Sequence, residues 1–243
     1  MDDKEDNFID DLKNTLITIE RLNGGISLTH NRDLLKSIVT GLIKNVPYCS
    51  HSTLPDFKIF RGRIENKAKL TSSEDFSYLP LKDSKNYGRC NSPNSTIFYG
   101  ANNTRTVFSE LAPEVGDIVY IGEAMTNSDH QPMLTSIGEL DHIRRFDYAR
   151  FGGDVTANSI FEYCEKLSPD GVDRALLVDA FFADIFSKPA FRDDEYKLTS
   201  TLIEVLLNPY LSSLDIDGVA YPSVAHRGGI NYVISPNSFD DMF

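Results

Sequence analysis

The sequence predicts an α+β fold in which a mixed or antiparallel sheet is preceded by an N-terminal helical segment. Three observations carry this reading. Apolar residues recur at helical spacing near the start and again in the second half. Short β-compatible runs lie in the middle and at the C-terminal end. Neither an internal repeat nor a regular βαβ alternation connects them. A chain of 243 residues can bury a substantial core without disulfides or metals, because at this size roughly 70% of the unfolded surface is hidden. Residues 1–50 are expected as the helical segment and 51–243 as one larger domain.

In the first element Phe8, Ile9, Leu12, Leu16 and Ile19 make an amphipathic stripe, which Gly24-Gly25 should end. A stronger stripe of Leu34, Leu35, Ile38, Val39, Leu42, Ile43 and Val46 follows. Asn31 is the expected cap, Asp33 sits in the first turn, and Pro47 is the terminator. Such a stripe needs a partner surface.

Residues 57–64 read as a strand that projects Arg61 and Arg63 from one face. A turn-rich stretch leads to a second strand at 96–101, and Thr104 is the expected cap of a helix over 105–111, limited by Pro113 and carrying Glu110. A strand at 117–121 precedes helices expected at 155–167, 172–186 and 195–211. Runs at 218–224 and 230–234, with Arg227-Gly228-Gly229 between them, predict a hairpin with Ser223 near its mouth.

Lys and Arg number 24 against 36 Asp and Glu, and the resulting net charge of −12 gives no basic footprint for nucleic acid. Cys49, Cys90 and Cys164 are sparse and odd in number, which suits a reducing compartment and structural thiols. The acidic Met1-Asp2-Asp3-Lys4-Glu5-Asp6 start is the wrong charge for a signal peptide, and no apolar run approaches the roughly 20 residues that span a bilayer. A cytoplasmic protein without membrane or nucleic-acid partners is expected.

Phosphate-loop, dinucleotide, zinc-protease and hydrolase-elbow motifs are absent, and His30, His51, His130, His142 and His226 lack metal-ligand spacing. Ser223 has His226 three residues on, but no oriented base or oxyanion hole can be identified around them. A distributed set is more informative. It comprises Phe60-Arg61-Gly62-Arg63, Gly88-Arg89-Cys90-Asn91, Phe98-Tyr99-Gly100-Ala101, Ser109-Glu110-Leu111, Tyr221-Pro222-Ser223 and Gly229-Ile230-Asn231. In this order and spacing the set resembles the RES-domain family, with Val107-Phe108 standing where that family often has a small residue.

The resemblance implies an ADP-ribosyltransferase-like fold and an NAD⁺-consuming enzyme, a phosphorylase or glycohydrolase, acting as the toxin of a toxin–antitoxin pair. By motif position it implies catalytic roles for Glu110, Ser223 and Arg89, and substrate binding by Arg61 or Arg63, Tyr99 and Asn231. No metal or separate cofactor is expected: NAD⁺ is the substrate and inorganic phosphate a candidate co-substrate. An antitoxin protein and a homo-oligomer are the expected partners. The chemistry is consistent with this assignment, since guanidinium groups bind diphosphate oxygens in two-point contacts and an aromatic face attracts the cationic pyridinium. A carboxylate can stabilise an oxocarbenium-like transition state. Taken singly, the arginines could be surface ion-pair residues, Tyr99 a core ring, Glu110 a solvated helix residue and Ser223 a turn residue. Transfer of ADP-ribose to protein, and a non-catalytic scaffold that binds a partner through its N-terminal helices, are the rival readings.

Overall fold

In a computed structural model the described residues are 5–23, 28–46, 48–65, 69–70, 72–127, 129–151, 159, 161–163, 165–166, 170–189 and 196–243. The first stripe forms α1 (Glu5–Asn23) and the second forms α2 (Leu28–Asn45). The second helix thus begins earlier than Asn31 suggests, and Asn31 lies within it. Gly24, Gly25 and Pro47 lie outside the described residues, as do Cys164 and most of the helix expected at 155–167. Among the described residues no helix is long and apolar enough to cross a membrane.

The sheet contains seven described strands in the order β1-β5-β6-β7-β3-β2-β4. They are β1 (Ser50–Ser52), β2 (Lys58–Ile64), β3 (Phe98–Ala101), β4 (Val119–Met125), β5 (Met133–Ser136), β6 (Gly218–Pro222) and β7 (Ile230–Ile234). Only β5 and β6 run parallel, so the sheet is mixed. The helices between and after the strands are α3 (Thr104–Leu111), α4 (Glu139–Phe146), α5 (Gly171–Ser187), α6 (Lys197–Leu206), α7 (Pro209–Ser212) and α8 (Pro236–Met242). The single helix expected at 195–211 is therefore two. Pro209 cannot donate within a continuing helix, and Asn208 caps the new one by accepting from the Tyr210 amide.

Val219, Tyr221 and Val233 face a large core shared with α1, α2, α5 and α6. Much of the N-terminal stripe finds its partner surface within the chain: Ile19, Leu35 and Val39 are fully buried in that same core. Arg32 and Lys36 of α2 both reach Glu204 of α6, at 2.5 and 2.6 Å. These half-exposed pairs add orientation more than stability. The hydrophobic core consequently runs across the expected boundary at residue 50. On the other face Phe98, Ala220, Tyr232 and Ile234 form a smaller core under α8, where Phe239 stacks on Phe98 with centroids 4.0 Å apart.

One irregularity of the sheet matters for function. β2 pairs with β4 from Lys58 to Ile64, and β3 pairs with β7 along its whole length, yet β2 and β3 meet only at Phe60 and Ala101. The two strands splay apart from that point and leave a wedge between them. α3 sits over β2 beside this wedge, because Gly62 has no side chain to keep Val107 and Leu111 away.

Candidate active site

The helix that closes the wedge starts at a side-chain cap. Asn103, in extended conformation, accepts the Thr106 amide on Oδ1 at 2.9 Å, so the cap is Asn103 and not Thr104. Three to four residues per turn then place Val107 and Leu111 against Gly62 and bring Glu110 round toward β6 and β7. There the Ser223 hydroxyl donates to Glu110 Oε1 at 2.6 Å, and Asn231 Nδ2 donates to the same oxygen at 2.7 Å. Ser223 and Asn231 are both buried, whereas Glu110 is exposed toward the opening. Because both bonds fall on Oε1, the second carboxylate oxygen is left to the opening.

The wedge holds a cavity of about 290 Å³ bordered by Arg61, Tyr99, Glu110, Leu111, Tyr221 and Asn231. Arg61 lies in the gap, with Nη1 donating to the Tyr99 carbonyl at 3.2 Å and its guanidinium carbon 5.3 Å from the Phe98 centroid. Burial, reinforced by repulsion from Arg63, lowers its pKa to about 10. It is still a cation at neutral pH, and among the described residues no carboxylate pairs with it. An anion entering the wedge would meet a desolvated positive charge. Arg63 points to the same side of β2 but does not border the cavity; its Nη2 donates to the Ser77 carbonyl at 3.3 Å.

Tyr99 has two surfaces. The residue borders the cavity, while its hydroxyl is held in the turn at 88–91, donating to Asn91 Oδ1 and accepting the Cys90 amide, each at 2.8 Å. Burial above all, and then the neighbouring Cys90 thiol, push the Tyr99 phenol well above its ordinary pKa. A Cβ at Gly88 would crowd both Asn91 and the Tyr99 hydroxyl, which explains the glycine. The same turn carries Arg89 away from the cavity wall. Its Nη1 donates to the carbonyls of Phe186 at 2.7 Å and Lys188 at 3.3 Å, and its guanidinium carbon sits 5.0 Å from the Tyr196 centroid. Burial raises the Cys90 thiol to about 12, so it stays protonated and unreactive.

The structure thus brings together Arg61, Tyr99, Glu110, Ser223 and Asn231, and it holds Arg63 and Arg89 at the periphery. Sequence reasoning missed the supports behind the carboxylate: Asn102, Thr106 and the side-chain role of His226. Of these, the sequence marks only His226, three residues after Ser223, and assigns its side chain no role. Among the described residues no three His, Cys, Asp or Glu side chains converge as metal ligands would.

Compared with models of protein families, the chain matches the RES domain over residues 62–243. Arg61 precedes the match by one residue, and Arg89, Tyr99, Glu110, Ser223 and Asn231 fall within it. No curated protein and no solved structure matches the chain.

Proposed function

The chain belongs to the RES-domain family, which is linked to NAD⁺-related enzymes, and from that premise we propose that it consumes NAD⁺ by breaking the nicotinamide–ribose bond. The observation that carries the reading is the Glu110 carboxylate, anchored through one oxygen by Ser223 and Asn231 at the mouth of a wedge whose floor holds the Arg61 cation.

The cavity suits a ligand that is apolar and aromatic at one end and anionic at the other. The Tyr99 ring offers a π face to the cationic pyridinium, which loses its charge on release, so this contact weakens for the departing product. Arg61 attracts the diphosphate in a site where water no longer screens it. As the C1′–N bond breaks, its electron pair leaves with nicotinamide and positive charge builds on the ribose. The fixed Glu110 carboxylate stabilises that charge without having to reorient. Water then adds at that ribose carbon and loses a proton, giving ADP-ribose, or inorganic phosphate adds at the same carbon and gives the ADP-ribose phosphate ester. Depletion of NAD⁺ by this route would arrest growth, as expected of the toxin of a toxin–antitoxin pair.

The test is to incubate the purified protein with NAD⁺, with and without inorganic phosphate, and to identify the products by mass spectrometry. Free nicotinamide with ADP-ribose or its phosphate ester is the expected outcome. Label from ADP-ribose appearing on a protein would make it a transferase. Intact NAD⁺ after incubation with folded protein would overturn the reading.

A further inference from the structure

Behind the Glu110–Ser223 pair lies a polar network that ties the loop at 223–229 to the first turn of α3. Its proton directions follow from the backbone. Asn102 Oδ1 accepts the Ile230 amide at 3.1 Å and Asn103 Oδ1 accepts the Thr106 amide at 2.9 Å, so both amide oxygens are fixed as acceptors. The Thr106 hydroxyl stands 3.1 and 3.2 Å from these oxygens and donates its single proton to them. His226 Nδ1 stands 2.8 Å from Thr106 Oγ1, and with the Thr106 proton on the amide oxygens the matching tautomer is the one that donates from Nδ1.

The other half of His226 acts on Ser223. Its backbone N–H donates to Ser223 Oγ at 3.0 Å and its carbonyl accepts the Gly229 amide at 2.8 Å, while the Ser223 amide donates to the Gly229 carbonyl at 2.9 Å. With the His226 amide occupying the hydroxyl oxygen on one side, the Ser223 proton is directed to Glu110. Gly229 fits because it lacks a side chain: a Cβ there would stand 2.6 Å from Thr106 Oγ1 and 2.8 Å from His226 Nδ1.

We propose that His226 is a positioning residue which, through Nδ1 on Thr106 and its amide on Ser223, latches the loop at 223–229 to α3 and so fixes the direction in which Ser223 holds Glu110. This rests on the NAD⁺-cleaving reading for its kinetic consequence, though not for the latch itself. The imidazole touches Thr106 and has no part in bond breaking.

Two arms test it. In the kinetic arm, His226→Ala should lower kcat for nicotinamide release about tenfold with KM changed by less than about threefold, since a misplaced carboxylate costs more in the transition state than in binding. His226→Asn puts an N–H donor near the position of Nδ1 and should recover most of the loss. Thr106→Val should match His226→Ala, and the double variant should be no slower than either, as partners in one contact are not additive. Wild-type kcat in His226→Ala, or additive losses, would overturn the proposal. In the second arm, backbone hydrogen exchange is followed in unreacted protein. Thr106→Val, and Gly229→Ala as a variant that presses on the latch from outside, should lose protection at 223–230 while α5 and α6 keep theirs. Unchanged protection there would overturn the latch. If wild-type protein leaves NAD⁺ intact, the functional reading fails alone and this second arm still decides.

Discussion

Arg89 donates from Nη1 to the carbonyl oxygen of Phe186 at 2.7 Å, so the turn at 88–91 holds down the C-terminal end of α5. The same turn is pinned to the cavity through the hydroxyl of Tyr99. One guanidinium therefore connects the turn that holds Tyr99 to a helix of the main core.

Arg89→Lys keeps the charge but gives up the planar fork and the stacking over Tyr196. We expect a lower melting temperature from the loss of about 1 kcal/mol of capping interaction, and a KM for NAD⁺ that rises at least as much as kcat falls. Thermal melts beside steady-state kinetics separate the two effects. A lower melting temperature with wild-type KM would assign Arg89 to the helix end alone.

Leu35→Ala tests whether the N-terminal helices belong to the main core. Leu35 is fully buried in the main core, on a helix that packs against α1 and α6, and emptying such a site costs about 2–5 kcal/mol. Removal of residues 1–46 strips the whole stripe from that surface and should give insoluble or unfolded protein, in place of a free-standing domain. Urea denaturation of the point variant and solubility of the shortened chain check this. A shortened chain that unfolds cooperatively at the wild-type midpoint would show the helices to be an appendage.

The residues explain why part of this was readable in advance. The stripes of α1, α2 and α5 repeat over several turns, and β2 and β7 are long enough for their composition to speak. Glu110, Ser223 and Asn231 each sit in a short motif, and the resemblance carried by those motifs, not any local pattern, implied that they share a site. By contrast Met133–Ser136 is a four-residue strand ending in Thr135 and Ser136, and its burial comes from β1 and β6 on either side. The N-terminal stripe announces that something must cover it but not that α5 and α6 do. The place of Arg89 depends on a helix end 97 positions away, and no local pattern encodes that distance.

Asp179 of α5 should make stability depend on pH. Its Oδ1 accepts the Gly138 amide at 2.7 Å and its Oδ2 the Asp141 amide at 3.0 Å, at the start of α4. Burial nevertheless outweighs these bonds and raises its pKa from 3.8 to about 6. Between those values the folded chain holds a proton that the unfolded chain has released. The contribution of this group to stability therefore falls as pH rises through the window and is constant above it. The shift corresponds to about 3 kcal/mol at most, at roughly 1.4 kcal/mol per pH unit. Asp179→Asn cannot titrate and turns an N–H toward one of the two amides, an offset of about 1–3 kcal/mol that does not vary with pH. Urea midpoints from pH 4.5 to 7.5, on the order of the window set by linkage, should show wild type losing stability relative to the variant. Parallel curves would place the Asp179 pKa outside the window.

Glu110→Gln bears most directly on the chemistry, because the geometry lets charge be removed with little else. The glutamine carbonyl oxygen can take the place of Oε1 and keep both donors, the Ser223 hydroxyl and Asn231 Nδ2, while the amide replaces the oxygen that faces the opening. Glu110 lies one residue from the end of α3, and Glu and Gln have nearly equal helix propensity, so the fold should be unchanged. What disappears is the negative charge at the mouth of the wedge. If that charge acts on the developing cation, kcat should fall by roughly 10²–10³ while NAD⁺ affinity changes much less, because the ground state carries its positive charge on the pyridinium and not on the sugar. The decisive measurement pairs calorimetric NAD⁺ binding with single-turnover nicotinamide release, on wild type and variant with matching circular dichroism spectra. Equal release rates would reduce Glu110 to a hydrogen-bond acceptor for the hairpin. A loss of binding equal to the loss of rate would instead assign it to holding the ribose hydroxyls in substrate and transition state alike.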